Sequence, residues 1–171
     1  MSKPVCCWAS ISEKNSINGK KGDQTGKEVK VGFLYDFGQT YVLRCKNVIK
    51  RKHISKAAMR IAKNDYIGYG QGDRMSSFKL FATIRWKIDK IRSIKTPCNI
   101  DCSMLALSAI NFAFGKNIVS ANNNSSSLPV SCVQTKKFKK LAYKKGMNLK
   151  KGDIVGKHGH VIVCCEDGKA I

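Results

Sequence analysis

Negative charge is scarce in this chain. Eleven aspartates and glutamates stand against 32 lysines and arginines, leaving a formal net charge of +21. Such an excess attracts anionic partners, with nucleic acid the first class and wall polymers rich in carboxylate and phosphate the second. The lysines are spread along the whole chain, which describes a general basic surface more than one docking stripe. Aromatic side chains interleaved with basic ones are also lacking. Phe138 alone stands in the dense lysine run, so nucleic acid is not the expected partner. No window approaches the roughly 18 to 20 continuous apolar residues of a membrane span. The first residues, Met1 to Trp8, lack the apolar core of a signal peptide. The expectation is a protein without a membrane span that stays inside the cell, or leaves by lysis or a non-standard exporter.

Cysteine is plentiful, at positions 6, 7, 45, 98, 102, 132, 164 and 165. The neighbours Cys6-Cys7 and Cys164-Cys165 are poorly placed to bridge within each pair. A chain of 171 residues with 43% hydrophobic content can fold without staples. Most thiols are therefore expected to be reduced and buried as small apolar groups. Cys98 and Cys102 stand four apart, and no second Cys/His pair has finger spacing, so neither a zinc site nor another metal site is expected. The length fits one domain over residues 1–171, with residues 1–47 integral to it and a monomer expected.

Strand patterns occur at residues 8–12, 29–31 and 40–45, separated by a polar, glycine-bearing loop and by the bend Tyr35-Asp36-Phe37-Gly38. Residues 55–65 and 75–87 have helical period, with Ile67-Gly68-Tyr69-Gly70 between them permitting close backbone approach. Residues 101–114 form the most apolar helix and should be central. Residues 116–136 read as a loop, Phe138 and Leu141 as anchors of a short helix, and residues 149–155 and 160–165 as strands. Helices precede paired strands in this half, so the class is α+β.

Thr96-Pro97-Cys98-Asn99-Ile100-Asp101-Cys102 leads straight into that central helix. A helix start carries unpaired N–H groups and partial positive charge, both of which favour a thiolate. Cys102 is thus a candidate nucleophile, and Asp101 a helix cap. Cysteine catalysis also needs an imidazole. Of His53, His158 and His160, the last opens an apolar strand after a glycine and is the candidate base.

Three ordered stretches carry a family resemblance: Asp101-Cys102-Ser103, Lys151-Gly152-Asp153-Ile154-Val155 and Gly159-His160-Val161-Ile162-Val163. Together they resemble the NlpC-type cysteine peptidases, papain-like hydrolases of peptidoglycan. Trp8-Ala9-Ser10-Ile11, residues 22–29 and Thr96-Pro97-Cys98 resemble a subgroup found among phage lysins. The resemblance implies a papain-like fold, with the cysteine helix packed on a small antiparallel sheet. It implies a cofactor-free endopeptidase that cuts stem-peptide amide bonds in the extracellular cell wall through a thiolate–imidazolium pair of Cys102 and His160. An amidase of the same fold, and a non-catalytic basic protein coating wall polymer or nucleic acid, stay open beside it. Tyr69 matches a tyrosine near the oxyanion site, and Trp8, Ser10, Asp23 and Gln24 match groove positions. The family's third polar residue lies on a strand after the histidine strand, where this sequence stops. Glu166 is the substitute, and Asp167 fits the spacing equally.

Overall fold

A computed structural model describes residues 2–171. The strands are β1 (Val5–Ala9), β2 (Val29–Phe33), β3 (Tyr41–Cys45), β4 (Ile67–Tyr69), β5 (Cys98–Ile100), β6 (Phe138–Ala142), β7 (Asn148–Leu149), β8 (Ile154–Lys157), β9 (His160–Cys164) and β10 (Gly168–Lys169). The helices are α1 (Val48–Ala62), α2 (Met75–Thr83), α3 (Cys102–Phe114) and α4 (Leu128–Gln134), with a 3₁₀ turn at Ile88–Ser93.

Six strands form an antiparallel sheet in the order β2-β1-β9-β8-β3-β6. Alternation along β9 divides its residues between two cores. Val161 and Val163 join the main core with α1 and α3, and Ile162 and Cys164 join a smaller one with Leu34, Val42 and Val155. Helix α3 touches α1, β1 and β9, and every residue from Ser103 to Ala113 is buried. That is why it is apolar nearly all round. Asp101 caps its start, accepting from the Met104 N–H at 2.6 Å, and Gly115 ends it in the left-handed conformation at φ 68°.

Strands β4 and β5 pair in parallel, placing Tyr69 opposite Ile100 and so beside the start of α3. Gly68 is obligatory there. A Cβ would lie 2.1 Å from the Gly22 carbonyl oxygen.

Several sequence expectations are corrected. Helix α1 starts at Val48, seven residues before position 55, because Asn47 caps it by accepting from the Lys50 N–H. Helix α2 stops at Thr83, and α4 occupies part of the expected loop at 116–136. Phe138–Ala142 is a strand, paired with β3 along its full length.

Candidate active site

Cys102 is half-buried at the first position of α3. Asp101 and Arg74 fix that helix start. The Asp101 carboxylate accepts from Ser103 Oγ at 2.9 Å and from Arg74 at 2.8 Å, and Arg74 also donates to the carbonyls of Ala121 and Asn123. The backbone N–H groups of Val161 and Ser103 are turned to the Cys102 sulfur. Sheet geometry explains the first. The β1–β9 ladder is bridged at Cys6–Cys164 and Cys7–Val163, and the next hydrogen-bonded rung would set Ala9 against Val161. Pairing stops before that rung, so the Val161 N–H is free to meet the sulfur.

His160 precedes Val161 and sits half-buried at the same end of β9. Its Nε2 is 2.9 Å from the Tyr35 hydroxyl, its one hydrogen bond among the described residues. Phe37 packs against the ring edge-on with centroids 5.1 Å apart. Trp8 packs against Tyr35 at a tilt, with centroids 5.2 Å apart, its own ring lying over Gly32, where a Cβ would meet it at 2.7 Å. His160 therefore belongs, like Ile162 and Cys164, to the face opposite α3. The link between ring and sulfur is Tyr35, whose hydroxyl meets the ring and whose pKa is raised by burial and by Cys102.

Burial first, then the charge of Asp101, pushes the Cys102 thiol up to about 11, against the pull of the two N–H groups and Arg74. The expectation of a lowered thiol pKa is corrected, because the low dielectric outweighs the helix start. Burial, aided by Lys157, holds the His160 imidazole below its usual value. Both groups are neutral at rest.

Tyr69 stands on β4 opposite Ile100, two residues before Cys102. It is buried, its hydroxyl accepts from Gln71 at 3.0 Å, and both Cys102 and Asp101 add to the burial that raises its pKa. Glu166 does not reach the site. It lies beyond the far end of β9, about 20 Å along the strand from His160 at ~3.3 Å per residue. There it lines a groove with Lys52, Lys56, Arg60 and Lys151. Asp167 is at the same end, accepting from the Lys151 N–H.

Asp23 and Gln24 are taken up by their own loop. The Asp23 carboxylate accepts from the N–H groups of Thr25, Lys27 and Glu28, and the Gln24 amide donates to the carbonyls of Lys21 and Gly22. Ser10 anchors the loop's other end through its N–H to the Glu28 carbonyl. Glu28, which the sequence pattern did not single out, is 1% exposed and accepts from the N–H groups of Gln24 and Tyr69, holding the loop against β4. Tyr35 and Phe37 were hidden in what reads as a bend, and their signal was two aromatics flanking a turn. Among the described residues no group of three or more His, Cys, Asp or Glu is arranged to hold a metal ion.

No curated protein and no solved structure matches this chain. A family model described as the endolysin-like domain matches residues 7–171, which takes in Trp8, Tyr35, Tyr69, Cys102 and His160. The chain belongs to the endolysin-like domain family.

Proposed function

We propose that this protein is a cysteine endopeptidase that cuts the peptide stems of bacterial peptidoglycan. Its endolysin-like membership supports cell-wall lysis in general. The observation that carries the finer reading is the Cys102 sulfur at the start of a buried helix, met by the N–H groups of Ser103 and Val161 and linked to His160 through Tyr35.

In this reading His160 carries its proton on Nε2 and donates it to the Tyr35 oxygen, which leaves Nδ1 free as the base. Tyr35 is the positioning residue that takes the role first given to Glu166. The substrate carbonyl approaches the sulfur. As the S–C bond forms, the thiol proton passes to Nδ1, so no standing thiolate–imidazolium pair is needed. N–H groups at the helix start, with the nearby Tyr69, stabilise the oxyanion. The imidazolium then protonates the leaving amine as the C–N bond breaks. A water, deprotonated by the same imidazole, attacks the thioester and releases the acid, restoring the thiol. Trp8 walls the aromatic side of the site.

The test is purified peptidoglycan digested by wild type and by Cys102→Ala, with fragments read by mass spectrometry. The expected result is new amino termini within stem peptides for wild type alone. Release of intact stems from the sugar would assign an amidase instead. Absence of products from both proteins would remove the enzyme reading and leave a wall-binding protein.

A further inference from the structure

Four of the eight cysteines meet across one pair of strands. Cys6 Sγ lies 3.8 Å from Cys164 Sγ, and Cys7 Sγ lies 3.3 Å from Cys165 Sγ. Cys6 and Cys164 are directly opposite in the β1–β9 ladder. The Cys165 N–H donates to the Val5 carbonyl at 2.7 Å, which makes the adjacent Cys6–Cys164 rung the non-hydrogen-bonded kind. In such rungs the two Cα atoms are about 4.5 Å apart and the side chains are closest, within the range a disulfide spans. Cys7 and Cys165 make the corresponding diagonal contact on the other face. The two pairs belong to different cores, so their four sulfurs cannot converge on one metal ion. All four side chains are at most 2% exposed.

We propose that Cys6–Cys164 and Cys7–Cys165 are two disulfide sites, closed by exchange with a small-molecule disulfide of the glutathione type. In each, a protein thiolate attacks the small disulfide, forming a mixed disulfide and expelling one small thiolate. The partner cysteine then displaces the second. Two protein thiols are oxidised, one small disulfide is reduced to two thiols, and the two S–H protons end on those thiols. In the folded state each thiol's hydrogen-bonded neighbour, together with burial, holds Cys7 and Cys164 in the protonated form. Exchange therefore occurs while the chain folds, or when β1 peels from β9. Once closed, the bonds tie the N-terminal strand to the strand that carries His160. Cys102 takes part in neither bond, so this proposal stands or falls apart from the proposed catalysis.

The test uses the full chain with Cys102→Ala, which prevents shuffling through that thiol. It is reduced, unfolded and refolded either with reduced and oxidised glutathione or with dithiothreitol. Free thiols are then alkylated and the products mapped. The expected glutathione product carries four fewer alkyl groups than the dithiothreitol product, with N-terminal and C-terminal peptides joined. Its Tm is higher by about 10 °C, a gain lost on reduction. Adding Cys6→Ala with Cys164→Ala, or Cys7→Ala with Cys165→Ala, should cut the difference between the glutathione and dithiothreitol products from four alkyl groups to two and assign each bond. Full alkylation of a folded glutathione product overturns the proposal. So do links confined to Cys6–Cys7 or Cys164–Cys165, and so does refolding that succeeds only in dithiothreitol.

Discussion

Opposed influences act on Cys102. Burial and Asp101 favour its thiol, while the N–H groups of Ser103 and Val161 and the Arg74 guanidinium favour the thiolate, and the thiol wins. In the proposed mechanism a neutral thiol attacks only as its proton leaves, so His160 acts as a true base and sets the pH dependence. Protonated His160 cannot accept the proton, so activity falls as pH drops through its pKa. That pKa is held below the ordinary 6.5 by burial and Lys157. The acid limb of kcat/KM should therefore lie below pH 6.5 in a pH–rate profile on a soluble stem peptide. A limb centred above 6.5 would contradict a neutral imidazole at rest. Tyr35→Phe tests the positioning role. Losing one hydrogen bond of about 1.4 kcal/mol should lower kcat about tenfold while KM barely moves. A change in KM alone would make Tyr35 a packing or binding residue.

The hairpin of β8 and β9 delivers His160, and its entry depends on one buried ion pair. Asp153 is fully buried, and its carboxylate accepts from Arg44 Nε at 2.9 Å and from the Lys150 N–H at 2.8 Å. Gly152 before it has φ 83°, and a Cβ there would strike the Arg51 carbonyl at 2.1 Å. Arg44→Met leaves a buried carboxylate unpaired and should cost about 3 to 5 kcal/mol in urea denaturation, whereas Arg44→Met with Asp153→Leu should recover much of that loss. Equal losses in single and double variants would show the pair to be unimportant. This motif was visible in sequence as Lys151-Gly152-Asp153, though not its partner Arg44, 109 residues away. What was legible followed from local pattern. Strand β9 is an apolar run behind Gly159-His160, and α3 is apolar nearly all round. What was not legible depended on neighbours. Strand β6 is an edge strand whose lysines hide its alternation, α4 is only 7 residues long and follows an Asn/Ser tract, and Val48 and Ile49 lie exposed in the first turn of α1. The same limit applied to the site. Cys102, His160 and Tyr69 carried motifs, whereas Tyr35 and the thiol pairs are defined only by strands distant in sequence.

Charge is a property of the entire chain. Among the described residues, Lys21, Arg44, Lys56, Arg60, Arg74 and Lys150 are the cations within reach of a carboxylate, a small part of the 32 present. Most of the positive charge is thus free to act on an anionic polymer. Long-range attraction of this kind is screened over about 10 Å at 0.1 M salt and about 3 Å at 1 M. Contacts inside the half-buried site are screened far less. The two contributions separate when two substrates are compared. On intact, polymer-bearing cell walls, raising salt from 0.05 to 0.5 M (values on the order of those spanning the screening range) should slow lysis by about tenfold or more through lost accumulation at the wall. On a short, uncharged stem peptide the same salt should leave kcat/KM nearly unchanged. Equal slowing on both substrates would locate the salt effect in the fold or the site. No slowing on either would mean that the basic surface does not concentrate the protein on walls, and that its charge serves another purpose such as solubility.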